Sequence, residues 1–241
     1  MAAQPRQTRK FQRNNKVVAL FVALIVILAV AGVAPMIVSA IMGPGTRTEM
    51  LNADGAKPAS TDVTGHWTVG KGSRPNTSAV GFTFEEILPS GHKLTSGTTH
   101  DVSGFVDIEG TTLQRGEVTV QMGNISTDEQ KRDINVRRKL LFTDQYPESH
   151  FTLTKPVDVS QVPGNGTPGT LTLTGTLTIM GQSHEITQEF QALRDDDRLV
   201  VSADVPIARE DYGVKTPDFI AAKVAPKGLL NIRLSFDKSE G

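Results

Sequence analysis

Between Gly169 and Met180 the chain reads GTLTLTGTLTIM, with Leu171, Leu173, Leu177 and Ile179 alternating with Thr172, Thr174, Thr176 and Thr178. A period of two places every apolar side chain on one face of an extended strand, and β-branched residues suit that pleated surface. The same alternation returns at Val118, Val120 and Met122, at Val201, Ala203, Val205 and Ile207, and at Leu230, Ile232, Leu234 and Phe236. Val80, Phe82 and Phe84 make a further strand, and Phe151 with Leu153 begins another. Turn-forming residues separate the runs: Pro89-Ser-Gly91, Glu109-Gly110, Pro163-Gly-Asn-Gly166, Gly181-Gln182 and Asp195-Asp-Asp197. Many strands with short turns and no regular helices predict an all-β antiparallel sandwich or barrel. One stretch departs from the pattern. Thr127–Leu141 (TDEQKRDINVRRKLL) is charged and free of Gly and Pro, with a capping residue at its start. It predicts a short helix.

The first sixty or so residues read differently. Residues 1–16 hold Arg6, Arg9, Lys10, Arg13 and Lys16 and no acid. Residues 17–42 (VVALFVALIVILAVAGVAPMIVSAIM) are uncharged and apolar. The part before Pro35 would span about 27 Å as a helix, close to the hydrocarbon thickness of a bilayer. The basic flank predicts a cytoplasmic N terminus and an exported C-terminal domain. Two readings remain open: a retained single-pass anchor in the cell membrane, which the length favours, and a signal peptide cleaved near Val38-Ser39-Ala40. Residues 43–64, rich in Gly, Pro, Ala, Ser and Thr, read as a flexible linker. The expected organisation is a basic tail (1–16), a transmembrane anchor (17–42), a linker (43–64) and a β domain (65–241).

The chain has 25 basic and 26 acidic residues, and five of the basic ones precede residue 17. The exported part is therefore acidic, which argues against nucleic acid as a partner. There is no cysteine. Disulfides, thiolate chemistry and lipidation on Cys are excluded, and the domain must be held by its core and its strand ladders. His66, His92, His100, His150 and His184 form no i, i+4 pair and no metal-ligand signature. No G-x-S-x-G elbow, phosphate loop or dinucleotide fingerprint is present, and Glu85-Glu86 and Asp195–Asp197 read as strand-end and turn carboxylates. The sequence predicts no catalytic residue, no metal and no cofactor, so the expected activity is binding and not catalysis.

Four segments in register resemble the YceI-like family of lipid- and polyisoprenoid-binding domains. In the first, Ser126-Thr127 is followed by Arg132-Asp133, Leu141-Phe142, Tyr146-Pro147 and Phe151. The second is Gly175-Thr-Leu-Thr-Ile-Met-Gly181, and the third is Ile207-Ala-Arg209-Glu-Asp-Tyr-Gly213. The fourth is Trp67-Thr-Val with Ser78 and Phe82–Phe84 after it. Two departures stand out: Ile-Asn-Val-Arg-Arg follows Asp133 where the family often has a His-Leu pair, and Pro75-Asn-Thr reads as an insertion. The resemblance implies a lipocalin-like antiparallel barrel of about eight strands with a short helix, its apolar interior holding a long-chain lipid.

If there is a cavity, its lining is expected from Phe82, Phe84, Phe105, Val118, Val120, Met122, Phe151, Leu153, Leu171, Leu173, Leu177 and Ile179. The same residues would equally build a closed core, because alternation reports burial and nothing more. Arg132 and Asp133 either grip a headgroup or, on the reading favoured here, pair with each other to fix the helix to the barrel. Arg209 with Asp211 reads as a second such pair, and Trp67 as a plug near the start of the barrel. Two functions follow. One is a membrane-anchored, extracytoplasmic carrier of a polyisoprenoid or other long-chain lipid. The other is an envelope-stress or interaction protein with a filled barrel and no lipid. The oligomeric state is not legible.

Overall fold

The computed structural model describes residues 46–88, 91–216 and 223–239. The predicted tail and anchor lie outside the described residues. Among those described, no helix is long and apolar enough to cross a membrane.

The alternating runs form strands β1 (Gly65–Gly70), β2 (Ala79–Leu88), β3 (Gly91–Thr99), β4 (Val102–Glu109), β5 (Thr112–Gln121), β6 (Glu148–Leu153), β7 (Val157–Asp158), β8 (Gly169–Ile179), β9 (Gln182–Asp195), β10 (Arg198–Ala208) and β11 (Lys223–Lys238). The ring runs β1-β4-β5-β6-β8-β9-β10-β11 and closes where β11 pairs with β1, giving eight antiparallel strands. The long strand β11 serves two neighbours: Ser235–Lys238 pair with β1, and Lys223–Arg233 pair with β2. The hairpin β2–β3 therefore extends the wall at one end. Beyond β3, a bridge between Thr98 and Ser126 joins the wall to the helical segment. That segment holds α1 (Gln130–Asn135) and a wider π turn over Val136–Leu140, so the α-helix is shorter than Thr127–Leu141 suggests.

The β8–β9 turn falls on Met180 and Gly181, both at positive φ (49° and 73°), one residue earlier than the sequence indicates. Two successive left-handed residues make the turn whose twist matches a hairpin. Asp196, at φ 56°, turns β9 into β10. At this same end, which we call the base, Trp67 is 1% exposed and packs with Ile108, Leu113, Val159, Val162, Leu171, Leu234 and Phe236. Its indole N–H donates to Val63 O at 2.8 Å. Trp67 thus plugs the base, and the opposite end, carrying α1 and the β2–β3, β8–β9 and β10–β11 connections, is the mouth.

The segment read as a flexible linker is, from Thr46 onward, a strap laid on the outer wall. Leu51 packs on Leu193 and Val200, and its N–H donates to Ser202 Oγ at 3.0 Å. Arg47 Nη2 donates to Asp204 Oδ2 at 2.6 Å. Lys57 N–H reaches Asp195 Oδ1 at 2.9 Å, and Asn52 exchanges hydrogen bonds with Asn76. Beneath it, Thr83 Oγ1 donates to Asn231 Oδ1 at 2.7 Å and Asn231 Nδ2 donates to Asp204 Oδ1 at 2.6 Å. These outward polar groups alternate with inward Val201, Val205, Leu230 and Ile232, yet Ser202 and Asn231 are 0% exposed. Buried polar groups persist when bonded, and the strap supplies Ser202 and Asp204 of this row with partners. Its composition concealed this because its partners on β9 and β10 lie more than a hundred residues away.

Candidate functional site: an apolar lumen

Inside the ring is a cavity of about 720 Å³. Its wall is built by the inward phase of the strands: Val80, Phe82 and Phe84 from β2, Val118 and Val120 from β5, and Leu171, Leu173, Leu177 and Ile179 from β8. Phe151 and Leu153 from β6 and Met122 after β5 also line it. Every predicted lining residue except Phe105 is therefore on the cavity wall. Phe105 lies on the outside, its ring stacked on His66 with centroids 5.4 Å apart. The physical reason is strand phase: Val106 lines the lumen and Ile108 joins the base core, so the residue between Gly104 and Val106 must point out.

The sequence reading left out half of the wall. Leu199, Val201, Val205 and Ile207 of β10, Leu230 and Ile232 of β11, and Ile186 and Phe190 of β9 line it too. Most sit in alternating runs already recognised as strands; what was missing was the closure that turns every such face toward one lumen.

The lumen's aromatic rings lie flat against the wall because glycines face them. Phe82 is the register partner of Gly97, where an added Cβ would come within 2.8 Å of the ring. Phe84 is the partner of Gly228, where it would come within 2.5 Å. Gly175, the register partner of Leu153, lies diagonally beside Phe151, and a Cβ there would come within 2.4 Å of that ring. Gly228→Ala is expected to lift Phe84 off the wall into the lumen, at an overpacking cost of about 1–3 kcal/mol. Mass spectrometry of co-purified lipid should then show shorter or fewer bound chains; an unchanged lipid profile would refute the seating role.

Polar groups gather at the mouth, where Glu86, Glu129, Lys131, Arg132, Asn135, Lys139, Arg209 and Thr216 complete the lining. Arg132 and Asp133 do not pair with each other. Asp133 Oδ1 accepts from Thr127 N–H and Oγ1–H, both at 2.6 Å, closing the loop before α1. Successive residues on a helix point about 100° apart, so one can face the loop while the other faces the lumen. Arg132 meets Asp128, with Glu129 at 3.8 Å and Glu86 at 4.0 Å. Burial pushes the Asp128 carboxyl up, but Arg132 and Lys93 outweigh it and hold the group below its usual range. Arg209 does not pair with Asp211 either. Its guanidinium donates to Val214 O at 2.9 Å and Ala225 O at 3.3 Å and lies 3.4 Å from Glu210, pinning the β10–β11 connection. Beside it Tyr212 lines the cavity, and burial, then the Asp211 charge, pushes its hydroxyl above the ordinary value. His184 stands on β9, with Nε2 2.9 Å from Asp211 O. Among the described residues no cluster of His, Asp and Glu is arranged to hold a metal.

A closed ring of eight antiparallel strands around an apolar lumen, plugged at one end, is a lipocalin-like barrel, the size at which the interior holds one slender molecule. The YceI-like domain family matches residues 72–236, and the chain belongs to that family. Among solved structures, it is similar to BcnA of Burkholderia cenocepacia, with a TM-score of 0.52 at 18% identity over 66% of this chain and 95% of that one. It is also similar to the polyisoprenoid binding domain from Saccharophagus degradans implicated in plant cell wall breakdown, with a TM-score of 0.54 at 14% identity over 73% of this chain and 99% of that one. A search of curated proteins finds no match.

Proposed function

We propose that this protein binds a polyisoprenoid or other long-chain lipid inside its barrel, and that residues 17–42 hold it at the membrane with the barrel on the extracytoplasmic side. The observation that carries the ligand is the lumen of about 720 Å³ with its almost wholly aliphatic and aromatic wall. That volume falls within the range of about 300–1,000 Å³ usual for ligand sites. Such a wall offers water almost no hydrogen-bond partners, so an apolar guest is favoured there over water. A cavity of this size is better understood as a site that fills than as a packing fault. Filling it with an alkyl or prenyl chain is driven by apolar area at about 25 cal/mol per Å² before ordering costs. Family membership and the polyisoprenoid binding domain of similar fold support the same ligand class. The basic flank and apolar run before residue 43 support the location.

Native mass spectrometry of the full chain, extracted from cells in mild detergent, tests the ligand. A species heavier than the 25.9 kDa chain by the mass of one lipid is expected. A ligand-free mass, under conditions that keep lipid in a control lipocalin, would overturn the reading.

A further inference from the structure

The large hydrophobic residues exposed among the described ones are Ile87, Leu94, Ile134, Phe142 and Tyr146. All five belong to the mouth end. Ile87 and Leu94 sit on the β2–β3 hairpin next to the lining residues Glu86 and Thr95, and Ile134 lies on α1 between the lining residues Arg132 and Asn135. Phe142 directly follows the lining residue Leu141, and the Tyr146 ring lies against Gly181 of the β8–β9 turn. Scattered singly, such residues need no explanation; gathered around the opening of an apolar lumen, they form a rim. Phe142 adds a second sign. It is held at φ 45°, a region bulky residues rarely adopt, and in that conformation the residue is 41% exposed.

The helical side of the rim carries unpaired positive charge, while the mouth acids Glu86, Glu129 and Glu210 lie beside Arg132 or Arg209. Lys131, Arg138 and Lys139 are exposed and enter no ion pair among the described residues. Asp128 and Glu129, just before α1, are engaged with Arg132, and Asp133 on α1 is bonded to Thr127. Exposed Asp144 is the acid closest after them in the chain. The mouth thus offers free cations on a domain whose charge balance is otherwise acidic.

The strap supplies the third observation. It meets Asp204 through Arg47, Ser202 through Leu51 and Asp195 through Lys57, so followed back toward residue 46 it climbs the wall from base toward mouth. Its first described residue, Thr46, bonds Ser96 O on β3.

We propose that the rim docks on an anionic lipid bilayer, with the apolar side chains in the headgroup layer and the lysines and arginine against its negative charge. A lipid tail would then pass between bilayer and lumen without crossing water. The proposal rests on the reading that the lumen takes a lipid.

The absence of cysteine allows a clean test on the full chain. A fluorophore is attached at Phe142→Cys on the rim or at Asp197→Cys in the base turn, and the protein is mixed with phosphatidylglycerol-containing vesicles. Lipid-borne nitroxide is expected to quench the rim label, and aqueous iodide the base label. Replacing Lys131, Arg138 and Lys139 together by Glu should reduce nitroxide quenching at the rim several-fold with the circular dichroism unchanged, as should all-phosphatidylcholine vesicles. A rim label as open to iodide as the base label overturns the docking. Native mass spectrometry on the same preparations separates the two claims. Retained lipid with a rim in water sinks docking alone, and a bilayer-seated rim with an empty lumen sinks the carrier reading alone.

Discussion

Leu173→Lys is expected to abolish lipid retention, while Thr172→Lys, one residue away, should leave it intact. Leu173 lines the lumen midway along β8, and Thr172 is exposed on the outer face of the same strand. A lysine at 173 would bring an ammonium among Phe190, Val201 and Ile232, with no carboxylate on that part of the wall. An unpaired charge there either stays ionised and draws water into the lumen, or sheds its proton at a cost; an apolar chain is excluded in both cases. A loss of about 3 kcal/mol or more in the urea unfolding free energy is expected alongside the loss of lipid. Equal lipid retention in the two variants would show that the wrong face of β8 has been assigned to the lumen.

The second large effect is at the base. Trp67→Ala should destabilise the protein by about 3–5 kcal/mol, because the indole is 1% exposed and fills the space among Ile108, Leu113, Leu171, Leu234 and Phe236. The substitution also leaves Val63 O without its 2.8 Å donor. For a domain of this size the midpoint should fall by roughly 10 °C in calorimetry. A fall of less than about 1 kcal/mol would mean that the base is not sealed by this residue.

How far the sequence could be read depends on where each interaction lies along the chain. Alternation is local, so β8, β10 and β11 and their inward faces were legible, and the family motifs pointed to the ring. Phe105 was misplaced because the size of its ring outweighed the phase set by Val102, Val106 and Ile108, which alone decides the direction of a strand residue. The Arg132 and Asp133 side chains part because each found a nearer partner in the loop before α1, a geometry that the dipeptide does not encode. The cavity was left open beside a closed core, since both require the same alternating residues. What bears on the choice is the set of glycines at 97, 175 and 228, whose places opposite or diagonal to aromatic rings emerge only once the strands are in register.

The strap was invisible for the opposite reason: it has no periodicity, and its bonds to Ser202, Asp204 and Asp195 cross more than half the chain. Its presence redraws the front boundary of the folding unit. A version trimmed to begin at the first strand would bare Leu193 and Val200 to water and strip Asp204 of its guanidinium, presenting neighbouring molecules with a sticky, half-satisfied flank. Clumping on purification would then be the fault of the cut and not of the barrel.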